Sequence, residues 1–123
     1  MSVAVEVEQL AERVGEYGPA AFVVTVGEGA SAHVVSAPVA VEGELLVVTV
    51  GRTTAANVER QPTATVLWAG RPGDDYCLIV DGTASVRAGG GVVVEPTRAV
   101  LHRLAGAASE LPSCVTVLDR RPA

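Results

Sequence analysis

The sequence of 123 residues contains no lysine; all nine of its basic side chains are arginine. Without an ε-amine the chain can form no Schiff base of its own, anchor no pyridoxal phosphate as an aldimine and grip no nucleotide with a P-loop lysine. Cysteine and histidine are nearly as scarce. Cys77, Cys114, His33 and His102 stand far apart, in neither a C-x-x-C nor an H-x-x-x-H pairing, so zinc has no spacing in its favour. The four aromatic residues, Tyr17, Phe22, Trp68 and Tyr76, are too few for a platform that stacks single-stranded bases. Positive charge is also short: 14 acidic against 9 basic residues leave a net charge of −5, which argues against nucleic acid and against anionic membranes as partners. The opening segment carries Glu6, Glu8 and Glu12 where a secretory signal has a basic start and an apolar core, and no apolar run reaches membrane-spanning length. These absences predict a cytoplasmic protein with reduced thiols.

What is present is a globular composition, 49% hydrophobic and 19% charged, in a length that suits one domain over 1–123. Val7, Leu10, Ala11 and Val14 recur at helical spacing and predict an amphipathic helix over about 3–17, stopped by Gly15, Gly18 and Pro19. β-Branched runs then predict strands over 21–26, 33–41 and 45–50, joined by turns at Gly27–Gly29 and Glu42–Glu44 as an antiparallel meander. Pro38 should confine the second of these to an edge or a bulge. A short helix over 53–60, capped by Thr53 or Thr54, is followed by strands over 63–68 and 76–87. After Gly89–Gly91 the pattern is ambiguous between strand and a helix opened by Pro96, with strand favoured, and 114–118 reads as a last short strand. Five to seven short strands with one or two helices indicate a barrel or sandwich, with the barrel portion over about 20–119.

One stretch points to chemistry. Thr49-Val50-Gly51-Arg52-Thr53-Thr54 carries a strand directly into a helix, and Asn57 follows one turn later. A helix start offers free N–H groups and a positive dipole end, hydroxyls add donors, and arginine supplies a fork matched to phosphate oxygens. The same residues are also what a plain helix cap and a solvated arginine look like. Asn57 reads either as helix surface or as an amide turned to a ligand. Cys77 and Cys114, within apolar strands, read as core residues, Trp68 as core or interface packing, and Asp74 and Asp75 as solvated turn carboxylates. His102-Arg103 reads as solvent-facing or carbonyl-bonded more readily than as part of a substrate pocket. No catalytic triad or paired carboxylate set is evident.

The ordered set Ala21-Phe22-Val23-Val24-Thr25-Val26, Ala32-His33-Val34-Val35, Leu46 to Thr54, Asn57 to Leu67 and Val80-Asp81-Gly82-Thr83-Ala84-Ser85-Val86 resembles the pyridoxamine 5′-phosphate oxidase-like family of flavin- and deazaflavin-binding split barrels. The resemblance spans about 20–86. It implies a mostly β fold, a six-stranded antiparallel split β-barrel with an N-terminal helix and one short helix after the third strand. It also implies a homodimer with two flavin sites between subunits, and a flavin-dependent oxidoreductase acting on a small-molecule substrate. Carried onto this sequence, it nominates Thr49, Val50 and Gly51 beside the ring, Arg52, Thr53 and Thr54 at the phosphate, with Asn57 nearby, and Ser36 at the ring edge. His33 falls where the family often has histidine and, lacking an acidic neighbour, is expected to be structural. Where many family members have lysine three residues before the asparagine, this chain has Thr54. The cofactor implied is FMN, with the deazaflavin coenzyme F-420 as the alternative. The departure at Thr54 supports a rival expectation, a non-catalytic flavin-binding or cofactor-free dimeric barrel module.

Overall fold

Alternation of small apolar residues with polar ones decides which way each strand faces, and in this chain the alternation closes a sheet on itself. The structure, a computed structural model, describes residues 3–106 and 112–122, and for residues 3–8 the backbone alone. Helix α1 (Val3–Tyr17) is followed by β1 (Ala20–Val26), a 3-10 turn at Glu28–Ala30, β2 (Ala32–Glu42) and β3 (Leu45–Val48). Then come α2 (Arg52–Arg60), β4 (Thr63–Trp68), β5 (Tyr76–Val86), β6 (Val92–Arg103) and β7 (Cys114–Asp119). All pairings are antiparallel, in the order β3-β2-β1-β4-β5-β6-β7, and β3 also pairs with β6. Six strands therefore form a closed barrel, with β7 added beside β6. Closure through the β3–β6 pairing removes the two edges that an open sheet of six such valine-rich strands would expose.

The inward side chains form one apolar core around Trp68, Leu46, Leu78, Val23, Val66 and Val94, each at most 1% exposed. Leu10 and Val14 of α1 join it, as their spacing predicts; of the other two members of that face, Ala11 is half-buried and Val7 lies outside the described side chains, and Gly15, expected to help stop the helix, lies within it. Gly18, at φ +95°, ends the helix by donating its N–H to Val14 O, a left-handed closure that glycine adopts without strain. Trp68 Nε1 donates to Gly18 O at 2.9 Å, so the indole satisfies its one polar group while its ring fills the core.

The segment after Gly91 is a strand, and its ambiguity has a structural cause. Inward positions run Val92, Val94, Pro96 and then Ala99, Leu101, because Thr97 is an extra residue between the pairs Gly82↔Pro96 and Asp81↔Arg98. At this bulge Gly82 meets β6 so closely that an added Cβ would stand 2.4 Å from Glu95 O.

Strand β2 lies between β1 and β3, but Pro38 stands in the part of it that has one free side, in keeping with the expectation of an edge. Residues 32–38 pair with β1 and residues 39–42 with β3. Pro38 sits at the changeover. Its carbonyl accepts from Thr49 N at 3.2 Å, so its side of the backbone faces the chain leaving β3, and there proline has no N–H to return the bond. The ladder ends, β3 stops at Val48 rather than continuing to Val50, and the first seven residues of β2 are left with a strand partner on the β1 side only.

Candidate functional site

Where β3 peels away, the chain crosses in front of the free side of β2 and enters α2. Gly51 is the N-cap of that helix and makes no side-chain cap hydrogen bond. Thr53 and Thr54, expected as caps, lie inside the first turn; the cap position went to the residue whose extended backbone makes the turn. Thr53 is exposed, whereas Thr54 is 2% exposed and turned into the protein.

A cavity of about 280 Å³ occupies this crossing, walled by Val35, Ser36 and Ala37 on β2 and by Thr49 through Thr54. Seven of the eight sequence-nominated residues line it: Ser36, Thr49, Val50, Gly51, Arg52, Thr53 and Thr54. A second cavity of about 570 Å³ abuts the first along His33, Arg52 and Thr53, and extends past Asn57 to Arg60, Ser31 and Gly27. Arg52 is exposed at the junction of the two, and its guanidinium enters no ion pair among the described residues.

Asn57 is neither helix surface nor a free amide. It is 3% exposed, donates Nδ2 to Thr25 Oγ1 at 3.2 Å and accepts from Arg60 through Oδ1 at 2.5 Å. It thereby ties α2 to β1 and anchors Arg60. His33, expected to be structural, and Arg60, to which sequence reasoning gave no role, also line the site. His33 lines both cavities and makes no hydrogen bond among the described residues, so no contact supports the structural role expected of it. Its alternation along β2 with Val35 and Ala37 was the available signal.

Other candidates lie elsewhere. Cys77 is buried, its thiol donates to His102 O at 3.6 Å, and burial raises its pKa, all of which suit an inert core thiol. Cys114, expected in the core, is exposed on β7, because that strand lies outside the closed barrel. Trp68 is core, and Asp74 accepts from Arg71 N within its turn. Arg98 stands in register between Asp81 and Asp119 and lines neither cavity of the site. Tyr17, beside α1's end, donates its hydroxyl to Tyr76 O at 2.7 Å, and desolvation with Asp74 nearby raises its pKa.

Comparison with solved structures separates this barrel from other closed antiparallel sheets. A Clostridium acetobutylicum protein related to general stress protein 26 of B. subtilis, described as of the pyridoxinephosphate oxidase family, superposes with a TM-score of 0.68 at 10% identity over 90% of this chain and 94% of its own. The fold is that of the split barrels. General stress protein 26 from Bacillus anthracis shares it at a TM-score of 0.57 and 16% identity, over 85% of this chain and 100% of that one. No family model matches the chain, and no curated protein does. No helix among the described residues is long and apolar enough to cross a membrane.

Proposed function

We propose that this split barrel is a flavin- or deazaflavin-dependent oxidoreductase that works as a homodimer. The observation that carries the reading is the junction at Arg52: an always-charged fork and the Thr53 hydroxyl at a helix start, beside a cavity walled by the free side of β2. These residues suit a phosphate ester. Val35, Val50 and Gly51 offer apolar side chain and bare backbone to a flat ring, with Ser36 at the ring's edge. The bound ring would supply hydride chemistry, and the chain's own residues would bind it, orient it and keep water from it. That division of labour suits a site without a catalytic triad.

The outer face of the same strands supports the homodimer. Phe22 and Val34 are 42% and 55% exposed, and the pairs Phe22↔Ser36, Val24↔Val34 and Phe22↔Leu67 put Val24 and Leu67 on that face with them. An apolar face of this kind, adjoining Ser36, is well placed to be covered by a second copy whose surface completes the groove. A small-molecule substrate would enter at that seam. Two unpaired cysteines suit a cytoplasmic location. A second reading, a non-catalytic flavin-binding or cofactor-free dimeric module, draws support from Thr54, which is buried and uncharged where a further cation would strengthen phosphate binding.

Fluorescence titration of the purified protein with FMN and with the deazaflavin coenzyme tests the proposal. Binding of either is expected, and Arg52→Ala should weaken it by about 1.5–3 kcal/mol, the worth of a charged hydrogen bond, while leaving thermal unfolding unchanged. A protein that binds neither is a cofactor-free barrel. Binding without turnover of any reduced substrate favours the carrier, and a monomer in sedimentation removes the intersubunit groove.

A further inference from the structure

The ligand proposed above accounts for the smaller cavity only. With a ring beside Thr49–Gly51 and a phosphate at Arg52, the cavity of about 570 Å³ lies beyond the phosphate, on the far side of the shared wall of His33, Arg52 and Thr53. Arg60 stands at its other end. It is eight positions from Arg52 on the same helix, hence about 12 Å along the axis.

The Arg60 guanidinium is held in place. Nη2 donates to Asn57 Oδ1, Asn57 donates in turn to Thr25 Oγ1, and both of those side chains are buried. A buried polar relay of this kind fixes an orientation that a surface arginine lacks. Nη1 meets Glu28 Oε1 at 3.3 Å, but that side chain is 88% exposed, and such exposed pairs contribute little and exchange readily. A ligand anion can therefore replace Glu28 at small cost.

We infer that Arg60 holds a second anionic group, carried by the same ligand beyond the phosphate that Arg52 takes. The inference rests on the proposed function for the first end of the groove. The chemistry that fits is a phosphodiester whose far substituent ends in carboxylate or phosphate. FMN ends in a monoester and would leave the larger cavity to water, whereas the deazaflavin coenzyme continues through a phosphodiester into a carboxylate-bearing tail.

The test is fluorescence titration of FMN and of the deazaflavin coenzyme against the wild type, Arg60→Gln and Arg60→Lys. The wild type should bind the deazaflavin coenzyme more tightly than FMN. Arg60→Gln should weaken the coenzyme on the order of tenfold, as for a lost charged hydrogen bond, and FMN by less than about twofold, with Arg60→Lys close to wild type. Equal losses for both ligands, or none, overturn the inference while leaving flavin binding intact. Binding of neither ligand to the wild type overturns the proposed function and this inference together. Should Arg60→Gln fail to fold, the wild type decides: its affinity for the deazaflavin coenzyme must fall more steeply with salt than its affinity for FMN, and parallel slopes reject a second charge contact.

Discussion

The barrel interior and the seam where α2 meets β1 are both buried, yet they are assembled from different materials. Inside the barrel the buried side chains are valine, leucine, alanine and one tryptophan. Thr25, Thr54 and Asn57, the buried polar residues among those described, all belong to β1 or α2. Apolar packing is non-directional and tolerates repacking at constant volume, whereas hydrogen bonds fix angles. The interior therefore supplies stability with little say in geometry, and the seam supplies geometry: it decides how α2 lies on the barrel, and so where Arg52 and Arg60 stand.

The contrast breaks most visibly at the interior. Leu46→Ala empties a fully buried position and should cost about 2–5 kcal/mol in urea unfolding, with ligand affinity of the folded protein nearly unchanged. A large affinity loss would show that the interior also sets the site's shape. Asn57→Ala should cost less, about 1–3 kcal/mol, because it strips one donor from Thr25 and the acceptor from Arg60. It should nonetheless reduce affinity for the extended ligand, as read by the same titration; an affinity equal to wild type would mean that Arg60 needs no anchor. The smallest effect is expected far from both regions, at β7. Hydrogen bonds from Arg121 push the Asp119 pKa from 3.8 down to about 2. Its stabilisation is present above pH 3.8 and disappears as pH falls through about 2. Wild type and Asp119→Asn should thus differ slightly in thermal unfolding at pH 6 and converge as the pH falls below Asp119's lowered pKa of about 2, and a gap that persists there would assign Asp119 a role other than this ion pair.

Most of the fold was legible because strand and helix periods are written in runs of valine and in glycine and proline stops. The helix over 3–17 and the strand over 63–68 have the bounds that their patterns predict. The strand over 92–103 was obscured because Pro96 suits the first position of a helix and because the bulge at Thr97 breaks the alternation, inward residues stepping from 96 to 99 before resuming strand spacing at 101. Cys114 was misplaced because an apolar strand looks the same inside a closed barrel and outside it. At the site, the contiguous run from Thr49 to Thr54 could be read as a unit, since neighbours in sequence share a turn. His33 could not be placed with them, because it meets Arg52 only through the crossing of β2 with α2, and Arg60 joins them through its bond to the buried Asn57; neither relation lies in a local pattern.

A last consequence belongs to Pro38. A ring closed by hydrogen bonds along its whole height has no doorway, and here the pairing of two strands stops at Val48, two residues short of Val50, where proline lacks the amide hydrogen to continue it. The room for a guest is thus set by a backbone atom that is not there, before any side chain chooses which guest to admit. Sequences that varied the lining residues while keeping this proline would trade one occupant for another, whereas exchanging it for a residue with an amide would tend to shut the door on all of them.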